Sequence, residues 1–499
     1  MSLIGIDVGT GGCKAAAYTV EGRLLGRAYR EYAPYQPRPG WVELDSRRVI
    51  EVVFQTLAEV ASLARSDPVT ALAVSSMGEA VTPVSLDRQI LGNSILMSDP
   101  RGGEYVRRLA EEIGQEAFYR INPNILGVNY SLPKLLWLRD HQRELYERAD
   151  RFLLWGDLVA FLLGCEPTTS FSLANRTLLF DLHREDWSEE LLRWAGIDRG
   201  KLPRAVASGT VAGTVSDSVA ERLGLPKGVA VVVGGHDQSL NSLGAGACAP
   251  GKAVCGIGTV QCITPTYDRV PPEGATLAAG LNVEHHVLPG RFVSFFYNQA
   301  GGLVRWFRDT FASADRRLPG GSAGLYDALT AEMPPEPTRL LVLPYFDITG
   351  SPRFISDAAG AVLGLKTHTT RGEILKAILE GATFYFVEGL RALRDMGIDT
   401  SEFVATGGGA KSDAWLQIQA DIFGVPFVRP RETECGVAGA AMLAGLGTGL
   451  YAGPEEAIAQ FVRKDRVFEP DARRHEIYRQ RYPLYEQLYP ALRELLRRV

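Results

Sequence analysis

The stretch Leu3 to Lys14, LIGIDVGTGGCK, constrains this chain more than any other. An apolar strand delivers one carboxylate, Asp7, into a turn of Gly9, Thr10, Gly11 and Gly12, where backbone N–H groups stand clear of side chains. Such a turn cradles phosphate. Two common phosphate loops do not fit it. The Walker A spacing is absent and no hydroxyl residue follows Lys14. The Gly-x-Gly-x-x-Gly dinucleotide turn opens a helix, whereas here β-compatible residues, Ala15 to Tyr18, run on to a second turn at Val20 to Arg23. The element reads as strand, tight turn, strand. Asp7 then either positions a hydrated Mg²⁺ beside a triphosphate or caps a Gly-rich hairpin.

The same pattern returns at Ala253 to Thr264, with Gly256-Ile257-Gly258-Thr259 at its turn and no acid before it. Two such hairpins half a chain apart predict a duplicated architecture with nucleotide in the cleft between its halves. A chain of 499 residues is too long for one ordinary core, so two domains are expected, parted at Ala249-Pro250-Gly251-Lys252. A formal net charge of −5 argues against general nucleic-acid binding, which needs a basic face. The cysteines form no Cys-x-x-Cys pair, so neither a zinc site nor a disulfide framework is expected. The first strand leaves no room for a signal peptide, and no apolar run has the length of a membrane span. A cytoplasmic protein without membrane contact is the expectation.

In chain order, Val49, Val53, Leu57, Val60 and Ala64 mark a helix capped by Asp45 or Ser46. The buried strand Ala71 to Ser75 runs into Ser76-Met77-Gly78-Glu79, where Glu79 either accepts hydrogen bonds from a polyol or is solvated. Asp99 and Arg101 form either a polar rim for a small hydroxylated ligand or a surface ion pair, and Tyr105 to Arg143 reads as mostly helical. The β-branched run Val229 to Val233 predicts a buried strand that delivers Gly234-Gly235-His236-Asp237-Gln238. Asp237 is the candidate base, with a helix N-cap as the alternative, since a small-residue helix follows. His236 has no second metal ligand at a useful spacing. Pro271 to Gly274 and Pro319 to Gly324 read as loops, Gly301-Gly302 starts a helix, and Arg371 to Arg394 reads as a long amphipathic helix. Strand Glu402 to Thr406 enters Gly407-Gly408-Gly409-Ala410-Lys411-Ser412, whose glycines let the backbone lie against a planar or phosphorylated ligand. A Gly/Ala helix at Gly436 to Gly449 and an arginine-bearing surface helix at Tyr482 to Val499 complete the chain.

Taken together, GIDVGT at 5, GWVE at 40, DPR at 99, KLLWL at 134, GGHDQ at 234, GIGT at 256, EGA at 380 and TGGGAKS at 406 resemble the FGGY carbohydrate kinase family, which includes glycerol kinases, xylulokinases and gluconate kinases. The pieces run in family order over nearly the whole chain. The resemblance implies an α/β protein of two actin-like, ribonuclease-H-like domains, 1–248 on the sugar side and 249–499 on the ATP side, the latter carrying the C-terminal helices. It implies ATP-dependent phosphorylation of a sugar, polyol or sugar acid, with a ketose such as xylulose the leading candidate. On this analogy Asp237 is the base and Asp7 orders Mg²⁺, through water. Thr10, Gly11, Lys14, Gly258, Thr259, Gly302, Gly408, Gly409 and Ser412 border the nucleotide. Met77, Gly78, Glu79, Asp99, Arg101, Asp237 and Gln238 border the acceptor.

The implied partner is a small carbohydrate, with a homodimer left open. An actin-like ATPase and a non-catalytic sugar-binding regulator are the rival readings. Three departures bear on specificity, the first being that xylulokinases carry Gln-Met-His-Gly near Met77-Gly78-Glu79, where this chain has no histidine. Glycerol kinases carry Gln-Arg-Glu where this chain has Met77-Gly78-Glu79, and the Trp-Asn before Asp-x-Arg is replaced by Met97-Ser98. The Arg missing at Gly78 is expected to disfavour glycerol and leave room for a larger acceptor.

Overall fold

The computed structural model of the chain describes residues 1–313, 321–347, 349–355 and 359–498. Its helices and strands repeat one sheet plan. In the first sheet, strand Ser2–Val8 pairs antiparallel with Gly12–Thr19 and parallel with Val69–Ser76. The latter pairs parallel with Ala230–His236, and Val211–Thr214 closes that edge antiparallel. In the second sheet, Lys252–Ile257 pairs antiparallel with Gln261–Tyr267 and parallel with Glu402–Thr406. There Phe427–Pro430 is the further parallel strand and Lys464–Phe468 the antiparallel edge. Both phosphate-type hairpins therefore hold the same place in their sheets.

Local sequence explains the elements. Leu3, Ile4, Ile6 and Val8 are wholly buried, as a central strand covered on both faces requires. Helix Ser46–Leu63 packs Val49, Val53, Leu57 and Val60 inward, and Asp45 is its cap, accepting the Arg48 N–H at 3.1 Å. The region expected to be mostly helical is so, as Gly103–Glu112, Gln115–Ile121 and Ser131–His141. Gly114, at φ +85°, and the Asn122-Pro123 step interrupt it. These helices surround a core of their own around Phe118, Leu136, Trp137 and Phe180, inserted between strands of the first sheet.

Described parts of two expected loops are helical instead. Pro319 and Gly320 lie outside the described residues, and Gly321–Ala331 is helical. Glu273 likewise begins the helix Glu273–Ala278. The C-terminal helix runs from Ala472 to Leu496 and is docked rather than free. Tyr478 donates to Glu380 at 2.8 Å, and Phe384 of helix Arg371–Asp395 meets the rings of Tyr478, Tyr482 and Tyr485.

One helix follows the outer parallel strand of each sheet, and these two, Asp237–Gly244 and Cys435–Gly447, pack on each other. A Cβ on Gly244 would lie 1.9 Å from the Cys435 carbonyl oxygen, and a Cβ on Gly439 would lie 1.9 Å from that of Leu240. The contact is reciprocal, as a local two-fold demands. Helix Cys435–Gly447 also presses on the first sheet, since a Cβ on Gly5 would lie 1.9 Å from the Val437 carbonyl oxygen. The chain thus returns from its C-terminal half to close the core of its N-terminal half, where Leu3, Ala73, Leu240, Val437 and Met442 meet. Among the described residues no helix is long and apolar enough to cross a membrane.

Candidate active site

Both hairpin turns leave their tips open. Gly9 donates to the Gly12 carbonyl and Gly258 to that of Val260, each at 3.0 Å, while Thr10, Gly11 and Thr259 are exposed. Asp7 lies just below the first turn, opposite Lys14 on one neighbouring strand and Ser75 on the other. Ser75 donates to its Oδ1 at 2.8 Å. Burial raises the Asp7 pKa, against the opposing pull of Ser75 and Lys14. Lys14 itself pairs with Glu434, which stands just before helix Cys435–Gly447. Both partners are substantially exposed, so the pair contributes little to stability.

Asp237 is the first residue of its helix, behind the strand Ala230–His236. The N-cap position is held by His236, and no side chain caps that helix. The carboxylate is therefore not consumed by capping. A third of the side chain is exposed. Burial by the surrounding walls, then the nearby charges of Asp7 and Glu79, push its pKa up to about 7, with the amides of Gln238 acting in the opposite direction. Three carboxylates thus lie close enough for two of them to raise the pKa of the third. His236 stays neutral because burial and Arg176 depress its pKa, and its Nε2 lies 3.4 Å from Asp237.

Of the residues expected at the acceptor, Met77, Gly78 and Glu79 are all buried, so Glu79 is not solvated. Its Oε1 accepts from Arg176, through Nε at 2.8 Å and through Nη2. Arg176 Nη1 reaches Glu284 at 2.7 Å. Here the structure corrects the sequence expectation of spare room at Gly78. A Cβ there would lie 2.9 Å from Arg176 Cγ and 3.3 Å from the His236 ring. The space is filled by an arginine from another part of the chain.

Asp99 and Arg101 also depart from expectation, being neither a rim nor a surface pair. Asp99 accepts the N–H groups of Val42 at 2.6 Å and Arg101 at 2.8 Å, and the Arg101 guanidinium clasps both its oxygens. Burial would raise the Asp99 pKa, but these bonds outweigh it and hold it below the usual range. Arg101 also pairs with Glu43 and lies over the rings of Trp41 and Trp137. Lys134 fastens the loop by donating to the carbonyls of Asp99 and Arg101. This is a brace for the inserted region, and neither carboxylate oxygen of Asp99 is without a partner.

Of the residues expected to border the nucleotide, Gly302 donates to the Thr259 carbonyl at 3.0 Å, joining helix Ala300–Phe311 to the second turn. Arg305, one turn along, donates to Thr259 Oγ1 at 2.8 Å. Gly408 has open space around it, while a Cβ on Gly409 would meet Ile257 at 2.2 Å. Ser412 caps helix Asp413–Phe423 by accepting the Trp415 N–H at 3.3 Å, so its hydroxyl is engaged. Sequence reasoning missed Arg176, Glu284 and Arg305. Arg176 had a signal, a lone cation in the otherwise uncharged run Phe171 to Phe180. Glu284 and Arg305 had none, because only the fold brings them to Arg176 and Thr259.

Residues 2–244 match the N-terminal domain, and residues 254–448 the C-terminal domain, of the FGGY family of carbohydrate kinases. The chain is 30% identical to a xylulose kinase of Bacillus subtilis over 96% of this chain and 94% of that one. It is 33% identical to a glycerol kinase of Stenotrophomonas maltophilia over 95% of this chain and 96% of that one. The crystal structure of xylulose kinase from Rhodospirillum rubrum superposes with a TM-score of 0.89 at 26% identity, covering 99% of this chain and 100% of that one. The duplicated sheets are accordingly two actin-like, ribonuclease-H-like domains. The chain belongs to the FGGY family of carbohydrate kinases and is an ATP-dependent enzyme that phosphorylates a sugar or polyol.

Proposed function

We propose that the acceptor is a ketose of the xylulose type and that Asp237 takes the proton from its attacking hydroxyl. The observation that carries this reading is the convergence of Asp7, Glu79 and Asp237 beside two open phosphate turns. The ketose is supported by relatives named xylulose kinase. The nucleotide half of the cleft is assigned to domain 249–499 and the acceptor half to domain 1–248. Backbone N–H groups around Thr10, Gly11, Gly258 and Thr259 receive the phosphates, with Lys14 and Arg305 as cations. Gly302, Gly408 and Gly409 border the nucleotide through backbone. Met77, Gly78, Glu79 and Gln238 line the acceptor.

Phosphoryl transfer asks for in-line placement, donors on the γ-phosphate and a base, and these residues supply them. Asp7 fits Mg²⁺, which is held in kinases by one or two carboxylates together with waters and phosphate oxygens. Ser75 donates to Oδ1 alone, and burial makes an uncompensated carboxylate costly there. When bound, the ion neutralises charge on the transferring phosphoryl group. Asp7→Asn is expected to weaken the Mg²⁺ response and turnover, while acceptor binding, measured by calorimetry without nucleotide, stays nearly unchanged. Normal turnover would remove Asp7 from the mechanism.

ATP consumption with xylulose, ribulose, glycerol and longer polyols tests the acceptor. Xylulose is expected to give the highest kcat/KM, and glycerol ranking first would refute the assignment.

A further inference from the structure

Arg176 is the point where the two halves of the chain meet beside the base. It comes from the inserted region of the first half and ties Glu79 to Glu284 of the second half. Three of its N–H groups are engaged: those on Nε and Nη2 with Glu79, and one on Nη1 with Glu284. Its guanidinium lies over the Tyr130 ring at 4.9 Å and near Phe295 at 5.8 Å. Asn282 adds a donor to Glu284 Oε1 at 2.9 Å, yet Glu284 Oε2 is buried with no hydrogen-bond partner. No hydrogen bond from a described residue falls on Glu79 Oε2. His236, between Arg176 and Asp237, is held neutral.

The charge balance follows from chemistry. One guanidinium faces two carboxylates, so the cluster carries a net charge of minus one, and Asp237 adds a further anion on ionising. A ligand carboxylate would meet the like charge of this cluster. A hydroxyl would find acceptor oxygens.

We infer that the Glu79–Arg176–Glu284 cluster makes the acceptor site selective for uncharged ketoses and polyols and excludes sugar acids. The inference rests on the kinase reading with Asp237 as base, and it narrows the substrate class. Glu284 acts as a positioning residue: it fixes Arg176 against Glu79 and keeps the cluster negative.

The test compares acceptors of equal length in the ATP-consumption assay: xylulose with xylonate, glycerol with glycerate, and sorbitol with gluconate. In the best-accepted pair, the neutral member is expected to exceed its acid by about 10² or more in kcat/KM, a ratio reached when a site meets a group it cannot pair. Glu284→Gln removes one negative charge. It is expected to cut that ratio at least tenfold, chiefly through a lower KM for the acid, while Glu284→Asp retains it. An acid at parity with its neutral partner on the wild-type enzyme overturns the inference and leaves the kinase reading standing. An unchanged ratio in a Glu284→Gln protein of wild-type Tm does the same. Failure of every acceptor to elicit ATP consumption refutes the kinase reading and this inference with it. If Glu284→Gln does not fold, the wild-type ratios decide by themselves.

Discussion

Asp237→Asn lowers turnover by about 10² to 10⁴, the range general-base assistance supplies, with the KM for ATP nearly unchanged. Asn keeps the size and part of the hydrogen bonding of Asp while losing its basicity. Because no side chain caps the helix, the substitution leaves its N-terminus as it was. The stability effect has a definite sign. A carboxyl whose folded pKa lies near 7 rather than near 3.8 loses stability as pH rises between those values, since the unfolded chain releases the proton first. The Asn variant escapes that loss, so its Tm is expected to gain on wild type from pH 4 to 7 and to hold its lead above. For the wild-type enzyme, kcat/KM should rise through an acid limb near pH 7. Glu79→Gln removes a neighbouring anion and should move that limb to lower pH. A stable Asn variant with wild-type turnover at pH 8 would refute the base assignment.

What was legible in the sequence follows from how local each feature is. The hairpins, the β-branched strand before Asp237 and the Gly-rich turn at 407 are set by neighbouring residues, so the duplicated plan and both acids could be read directly. The acceptor wall could not. Gly78 reads as an empty place because glycine carries no side chain, and only the fold shows Arg176, nearly a hundred residues later, occupying it. Asp99 and Arg101 are two residues apart, a spacing equally suited to a ligand rim and to a brace. The decision lay with Trp41, Glu43 and Trp137, which the fold brings around them. The two-fold contact of Gly244 with Gly439 was likewise hidden, because a Gly/Ala helix announces close packing without naming its partner.

That contact yields the other large effect. Gly439→Ala is expected to destabilise the protein by about 3 kcal/mol and to lower kcat at least tenfold, as the top of the usual range for overpacking and a misplacement near 1 Å suggest. The new methyl carbon would stand 1.9 Å from the Leu240 carbonyl oxygen, and the backbone nitrogen of Gly244 lies 2.9 Å away. Both obstacles are helix backbone and cannot swing aside, so the two helices must part. Asp237 heads one of them, and Asp7 lies 3.9 Å from where a Cβ on Gly436 would stand near the start of the other. Parting the helices therefore moves Asp237 relative to the Asp7 turn. Helix propensity alone predicts the opposite sign, because alanine is favoured over glycine inside a helix by about 1 kcal/mol. Gly274→Ala, in a helix where a Cβ meets nothing within 4 Å, supplies the control and should leave both quantities unchanged or slightly raise Tm. Tm and kcat measured on the two variants separate the accounts: a Gly439→Ala enzyme as stable and as fast as the Gly274→Ala enzyme would show that the helix pair does not set the cleft.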